Sequence, residues 1–205
     1  MPARPAATRR LETIERTRER ILSAARDVVA EGGWQAAQIA VIAARAKVAT
    51  GSVYRYFESK AALYTCVLDM VSDGEVAILR EIADAGGPAP ERLARMITAF
   101  AKRAMKSRRL AYALIAEPCE PEIDAERLKY RAVISDQFAR VVHEGIESGE
   151  FVDADEKMAT SCVVGAFVEA LVVHIAPDSK AEPRASDRMA ASIARLCVRM
   201  VMKER

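Results

Sequence analysis

Apolar residues recur at three- and four-residue spacing along almost all of the 205-residue chain, and no run alternates apolar with polar as a strand does. Such a chain can fold only by packing helix stripes together, so the expected class is all-α with about nine helices. Residues 12–31 place Ile14, Ile21, Leu22, Ala25, Val28 and Val29 on one stripe, with Glu15, Arg16, Arg18, Glu19 and Arg26 outside it. Gly32-Gly33 ends that helix because glycine accepts the left-handed conformation of a C-cap, and Trp34 plugs the turn. Ser59 is placed as the N-cap of a longer helix running to about residue 83 through Leu63, Val67, Met70, Val71, Ile78 and Ile82. Gly86-Gly87-Pro88-Ala89-Pro90 breaks the chain, and further helices are expected near 90–106, 109–116, 124–148, 155–175 and 186–203.

Composition narrows the function classes. With 51% hydrophobic and 29% charged residues, the chain has material for a core and is not of the disordered type. Charge is uneven: residues 1–60 hold eleven Lys/Arg against six Asp/Glu, whereas the remainder holds 20 against 23. A basic first third points to an anionic partner, nucleic acid or membrane surface, unless it is only a solvated face. Cys66, Cys119, Cys162 and Cys197 lie far apart and form no metal-site or CxxC spacing. The start leads into a charged helix, not an apolar signal segment, and no run reaches the length of a membrane span. A cytoplasmic protein with reduced thiols, no membrane association and no cofactor is the expectation. The two histidines, His143 and His174, stand outside any HExxH, GxSxG, GxGxxG or P-loop pattern, so no enzyme is expected.

Residues 38–57 carry the function. Gln38 to Arg45 faces Ile39, Ile42, Ala43 and Ala46 inward, and Ala49 to Phe57 does the same with Val48, Val53 and Phe57. Two short helices after a longer one form a helix-turn-helix, whose second short helix enters the DNA major groove. Its outward positions are Thr50, Ser52, Tyr54, Arg55 and Tyr56, all hydrogen-bond donors. Gly51 among them lets the backbone approach closely. Lys60 opens the next helix, where an ammonium and orphan amides can share a phosphate.

Residues 20–63, from Arg20-Ile21-Leu22-x-Ala24-Ala25 through Gly51-Ser52-Val53-Tyr54-x-Tyr56-Phe57-x-x-Lys60-x-x-Leu63, resemble the DNA-binding domain of the TetR/AcrR family of bacterial regulators. The resemblance implies a homodimer in which each N-terminal unit reads half of a near-palindromic double-stranded DNA operator. It places Thr50, Gly51, Ser52 and Arg55 near base edges or phosphates, and Tyr54, Tyr56 and Lys60 on the backbone; Gln38, Arg45 and Lys47 complete the expected contact set. Three positions depart from the family pattern. Ala36-Ala37-Gln38 lacks the capping Thr or Ser, Lys47 replaces the turn glycine, and Ala49 replaces the serine before the recognition helix. Each of the last two changes costs about 1 kcal/mol. The arm residues Arg4, Arg9, Arg10, Arg16 and Arg18 either reach along the DNA or form a solvated tail.

The expected division is 1–63 for the arm and DNA-binding unit, with the helix-turn-helix at about 37–57, and 64–205 for the linker helix and the ligand-binding and dimerisation body. Residues 155–175 are apolar on nearly every side, which implies burial all round. The resemblance implies that the last two long helices of each chain pair in the dimer, so residues 155–175 and 186–203 are assigned to dimerisation, through Val163, Ala166, Ala170, Ile193, Leu196 and Met200. The resemblance further implies a small-molecule effector, unknown in kind. Its candidate lining is Met96, Phe100, Tyr112, Tyr130, Ile134, Phe138, Phe167 and Glu169, although such a stripe is also what a plain core looks like. Glu169 interrupts an apolar helix and, if buried, needs a cationic partner. The expected function is a ligand-responsive transcriptional regulator, most simply a repressor released by its effector. A redox regulator acting through Cys119 or Cys66, and a helical interaction protein without DNA function, are the alternatives.

Overall fold

The computed structural model describes residues 6–179 and 186–203. Among them are nine helices and no strand, so the all-α expectation is met. They are α1 (Ala6–Ala36), α2 (Ile39–Arg45), α3 (Thr50–Val53), α4 (Lys60–Asp84), α5 (Ala89–Lys106), α6 (Arg108–Ile115), α7 (Pro121–Glu147), α8 (Glu156–Ile175) and α9 (Ser186–Val201). An isolated antiparallel bridge joins Phe151 to Met202.

Local chemistry sets the boundaries. Gly33, at φ 74° and ψ −169°, breaks the helical path of α1 where the glycine pair predicted its end. The Ser59 hydroxyl accepts from the Ala62 amide and starts α4, and Asp155 does the same for α8 through Met158. Pro121 occupies the first turn of α7, where its missing N–H costs nothing, so that helix begins earlier than the expected residue 124. The recognition helix is shorter than expected. Only Thr50–Val53 is α-helical, and tight turns carry the coil on to Phe57.

Two hydrophobic clusters organise the chain. The first gathers Ile21, Ala25, Val28, Trp34, Ile42, Val53, Phe57, Leu63, Tyr64 and Val67, and takes in Ala113, Leu114 and Ile123 from α6 and α7. The second joins α4, α5, α7, α8 and α9 around Leu93, Met96, Phe138, Phe167 and Leu171. The helix at 155–175 departs from two expectations. It is long and apolar enough to cross a membrane, with mean hydropathy 1.8, yet Val163, Val164, Phe167, Leu171 and Ile175 pack inside the second cluster. Nor is it buried on all sides: Met158 is 65% and Val173 64% exposed, and Cys162, Gly165 and Glu169 are open as well.

Candidate nucleic-acid interface and effector cavity

Burial of Ile39, Ile42 and Ala43 seats α2 against α1, and Val53 with Phe57 anchors the short α3 on the same core. The anchors orient the opposite face. Gln38, Arg45, Lys47, Thr50, Gly51, Tyr54 and Arg55 are exposed, while Ser52, Tyr56 and Lys60 are half-buried. The two missing caps are visible: neither Gln38 nor Ala49 gives a side-chain bond to its helix. Lys47 has φ 54°, so a lysine does occupy the left-handed position that favours glycine.

Two of the expected DNA cations have protein partners. Arg45 donates to both carboxylate oxygens of Glu31 at 2.6 Å, a bond that holds the Glu31 carboxyl below its ordinary range. Lys60 donates to Glu120 at 2.7 Å and lies 5.2 Å from the Tyr64 ring centre. Gln38 donates to the Gln35 carbonyl. Arg18 stacks over Phe57 at 5.1 Å instead of extending along an arm. Arg4 and the side chain of Arg9 lie outside the described residues.

Behind this face sits a junction that sequence reading missed. Trp34 is buried, its indole N–H donates to the Ala113 carbonyl at 2.7 Å, and its backbone N–H donates to Glu117. Arg109 donates to Glu117 and to the Gly32 carbonyl, clamping α1 to α6. Arg127 donates to the Glu117 carbonyl from α7. Tyr64 stacks on Trp34 with its hydroxyl bonded to the Ala37 carbonyl, and burial raises that phenol's pKa. Arg109 pairs with Glu117, Arg127 also pairs with Asp124, and His143 Nδ1 lies 3.0 Å from Glu156.

The body contains a cavity of about 380 Å³ between α4, α5, α6 and α7, reaching Arg26 of α1. Met70, Val71, Phe100, Leu110, Leu114 and Ile115 supply an apolar lining; Arg26, Arg103, Lys106, Glu75 and Tyr130 add polar groups. Glu75 is buried and pairs with Arg103 at 2.6 Å, and burial pushes the Tyr130 phenol upward. Of the eight expected lining residues, Phe100 and Tyr130 line this cavity, and Ile134 joins them around a smaller adjoining one. Met96, Phe138 and Phe167 lie in the solid core instead, where α5 and α7 pack against α8 and α9 and the Phe138 and Phe167 rings meet. Tyr112 packs on the edge of the core with Arg109 near its ring. Glu169 is exposed, so the condition of burial is not met; it sits with Arg131 in a groove between α7 and α8. The signal for the cavity was Glu75, a carboxylate in the buried stripe of α4.

Among the dimerisation residues, Leu196 and Met200 are exposed, and Ala166 and Ala170 are half-buried. Val163 and Ile193 instead face the chain's own core, one helical face away. Among the described residues the four cysteines are all free thiols. Cys119 is half-buried, and burial pushes its thiol up more than nearby Arg127 lowers it. The described residues contain no cluster of metal-ligating side chains.

Comparison with known proteins fits this architecture. Residues 21–65 match the family model of bacterial regulatory proteins, tetR family, and residues 86–171 match that of the tetracyclin repressor-like C-terminal domain. The chain is 32% identical over 135 residues to the HTH-type transcriptional repressor KstR of Mycobacterium tuberculosis, covering 62% of this chain and 59% of KstR. For KstR of Mycolicibacterium smegmatis the figures are 39% identity over 80 residues, 39% of each chain. The matched region thus spans less than two thirds of these two relatives' length. The fatty acid metabolism regulator protein of Bacillus subtilis is 25% identical over 164 residues, covering 78% of this chain and 84% of its own. The solved structure of FadR from Bacillus subtilis, in complex with stearoyl-CoA, superposes with a TM-score of 0.77 at 23% identity, over 88% of this chain and 97% of that one. That family is regulatory rather than enzymatic. A helix-turn-helix unit and a helical body, each matched by its own family model, make this chain a member of the TetR family of bacterial transcriptional regulators.

Proposed function

We propose that this chain is a cytoplasmic, homodimeric repressor that binds a near-palindromic operator and leaves it when a small molecule fills the cavity of the body. The observation that carries the reading is the exposed face of α3, where Thr50, Gly51, Tyr54 and Arg55 project from a helix anchored by Val53 and Phe57. Arg55, Thr50 and Ser52 reach base edges, and Tyr54, Tyr56, Lys47 and Lys60 hold phosphates. Gln38 and Arg45 border the same face. Residues 1–63 read DNA; residues 64–205 sense the effector and pair through α8 and α9.

The effector is an anionic amphiphile. An apolar cavity floor suits a hydrocarbon chain, and Arg26, Arg103 and Lys106 suit its anionic end. FadR with stearoyl-CoA supplies the probe. The cavity touches α1, α4 and α6, the helices that carry the DNA-binding unit. A ligand preferring a different spacing of the two recognition helices shifts the population away from the operator-binding state. Stearoyl-CoA at a hundredfold excess over its Kd is expected to stabilise the fold by about 2.7 kcal/mol. Gly74 lines the cavity with open space beside it, so Gly74→Leu is expected to occupy part of it and reduce that stabilisation. Thermal unfolding reads both. No shift in the wild type would reject the ligand class, and an undiminished shift in Gly74→Leu would reject the site.

A further inference from the structure

The segment joining α6 to α7 belongs to the body, yet it delivers a carboxylate to the DNA-binding unit. Glu120 accepts from Lys60 at 2.7 Å across sixty residues of sequence. The contact borders an open groove of about 450 Å³, which Gln38 also lines. Glu120 is held on both sides. Three residues before it, Glu117 binds the Trp34 amide; three residues after it, Ile123 is buried in the core of the DNA-binding unit. The Lys60 bond also keeps the Glu120 carboxyl below its ordinary range, so it is ionised at neutral pH.

We propose that Glu120 is a built-in competitor of DNA phosphate for Lys60, setting operator affinity below what the helix-turn-helix alone would reach. The inference rests on the reading of Lys60 as a phosphate contact. An ammonium bonded to a carboxylate must give up that bond to take a phosphate, and the freed carboxylate then stands beside a second anion. The clamp at Glu117 makes this competition adjustable. Leu110, Ala111, Leu114 and Ile115 of α6 line the effector cavity, and the chain reaches Glu120 five residues after Ile115. Any shift of α6 on filling the cavity therefore changes how firmly Glu120 holds Lys60.

The test is the affinity of the full-length dimer for a mixed-sequence 30-base-pair duplex over a salt series, which needs no knowledge of the operator. Glu120→Gln is expected to bind about threefold more tightly, as befits a partly exposed ion pair. Its plot of log affinity against log salt should be steeper by up to about one unit. In a Lys60→Ala background, Glu120→Gln should change neither quantity. Glu122→Gln, an equal change of charge two residues away, should have less effect than Glu120→Gln. A gain that persists without Lys60 would show general repulsion and overturn the competition. No gain from Glu120→Gln while the wild type binds would overturn it too, leaving the DNA-binding reading intact. A wild type that binds no duplex at any salt would remove both.

Discussion

Gly33→Ala is expected to cost about 3–5 kcal/mol of stability, read as a fall in the urea midpoint at constant slope. Two effects add. At φ 74° and ψ −169° the backbone lies in a region that is essentially glycine's alone, a strain of about 1–3 kcal/mol for any other residue. A methyl group there would also overlap Arg109 Nη2 and Glu117 Oε2, forcing the buried pair apart. Glu117 would then lose Arg109 and the Trp34 amide together. Gly149 provides the control, since it has φ 73° but nothing within 4 Å of the added Cβ. Gly149→Ala should lose only the backbone term, about 1–2 kcal/mol. Equal losses at the two sites would mean that the junction contributes little.

The second large effect concerns pairing. Leu196 is 59% and Met200 50% exposed on α9, and Met158 and Val173 are likewise exposed on α8. Large apolar side chains left open on the two helices that the proposed dimer pairs suit an interaction surface. If α9 pairs as proposed, Leu196→Glu would bury a carboxylate on dimerisation and should yield a folded monomer by sedimentation. Because the side chain is exposed in the single chain, the helical circular dichroism should be unchanged. A lone helix-turn-helix loses the effective concentration supplied by its partner, so operator affinity should fall about 100-fold or more. A dimer that persists in Leu196→Glu, or a monomer that binds as tightly as the wild type, would contradict this account of α8 and α9.

Local chemistry was legible in the sequence wherever neighbours along the chain decide the outcome. The Gly32-Gly33 stop, the Ser59 cap and the burial of Ile42 and Val53 all follow from spacing and side-chain type, whereas the left-handed Lys47 was visible only through the family resemblance, which puts a glycine there. The junction was not legible, because Trp34 meets Ala113 and Glu117 across about eighty residues and neither end carries a local signal. The same limit applied to α8 and α9. Apolar spacing does not declare which residues meet the chain's own core and which meet a partner, so Val163 and Ile193 turned inward while Leu196 and Met200 remained open. In the cavity, the aromatic stripe identified Phe100 and Tyr130 but not the cations. Arg26, Arg103 and Lys106 come from two helices distant in sequence and converge only in the fold.

The most direct measurement of the central claim is affinity selection of genomic DNA fragments by the purified dimer, with Tyr54→Ala/Lys60→Ala run alongside. The account predicts a near-palindrome enriched by the wild type alone, its half-sites spaced for two recognition helices about 34 Å apart. A folded wild-type dimer that enriches no sequence, or a double variant that recovers the same sequence equally well, would contradict it.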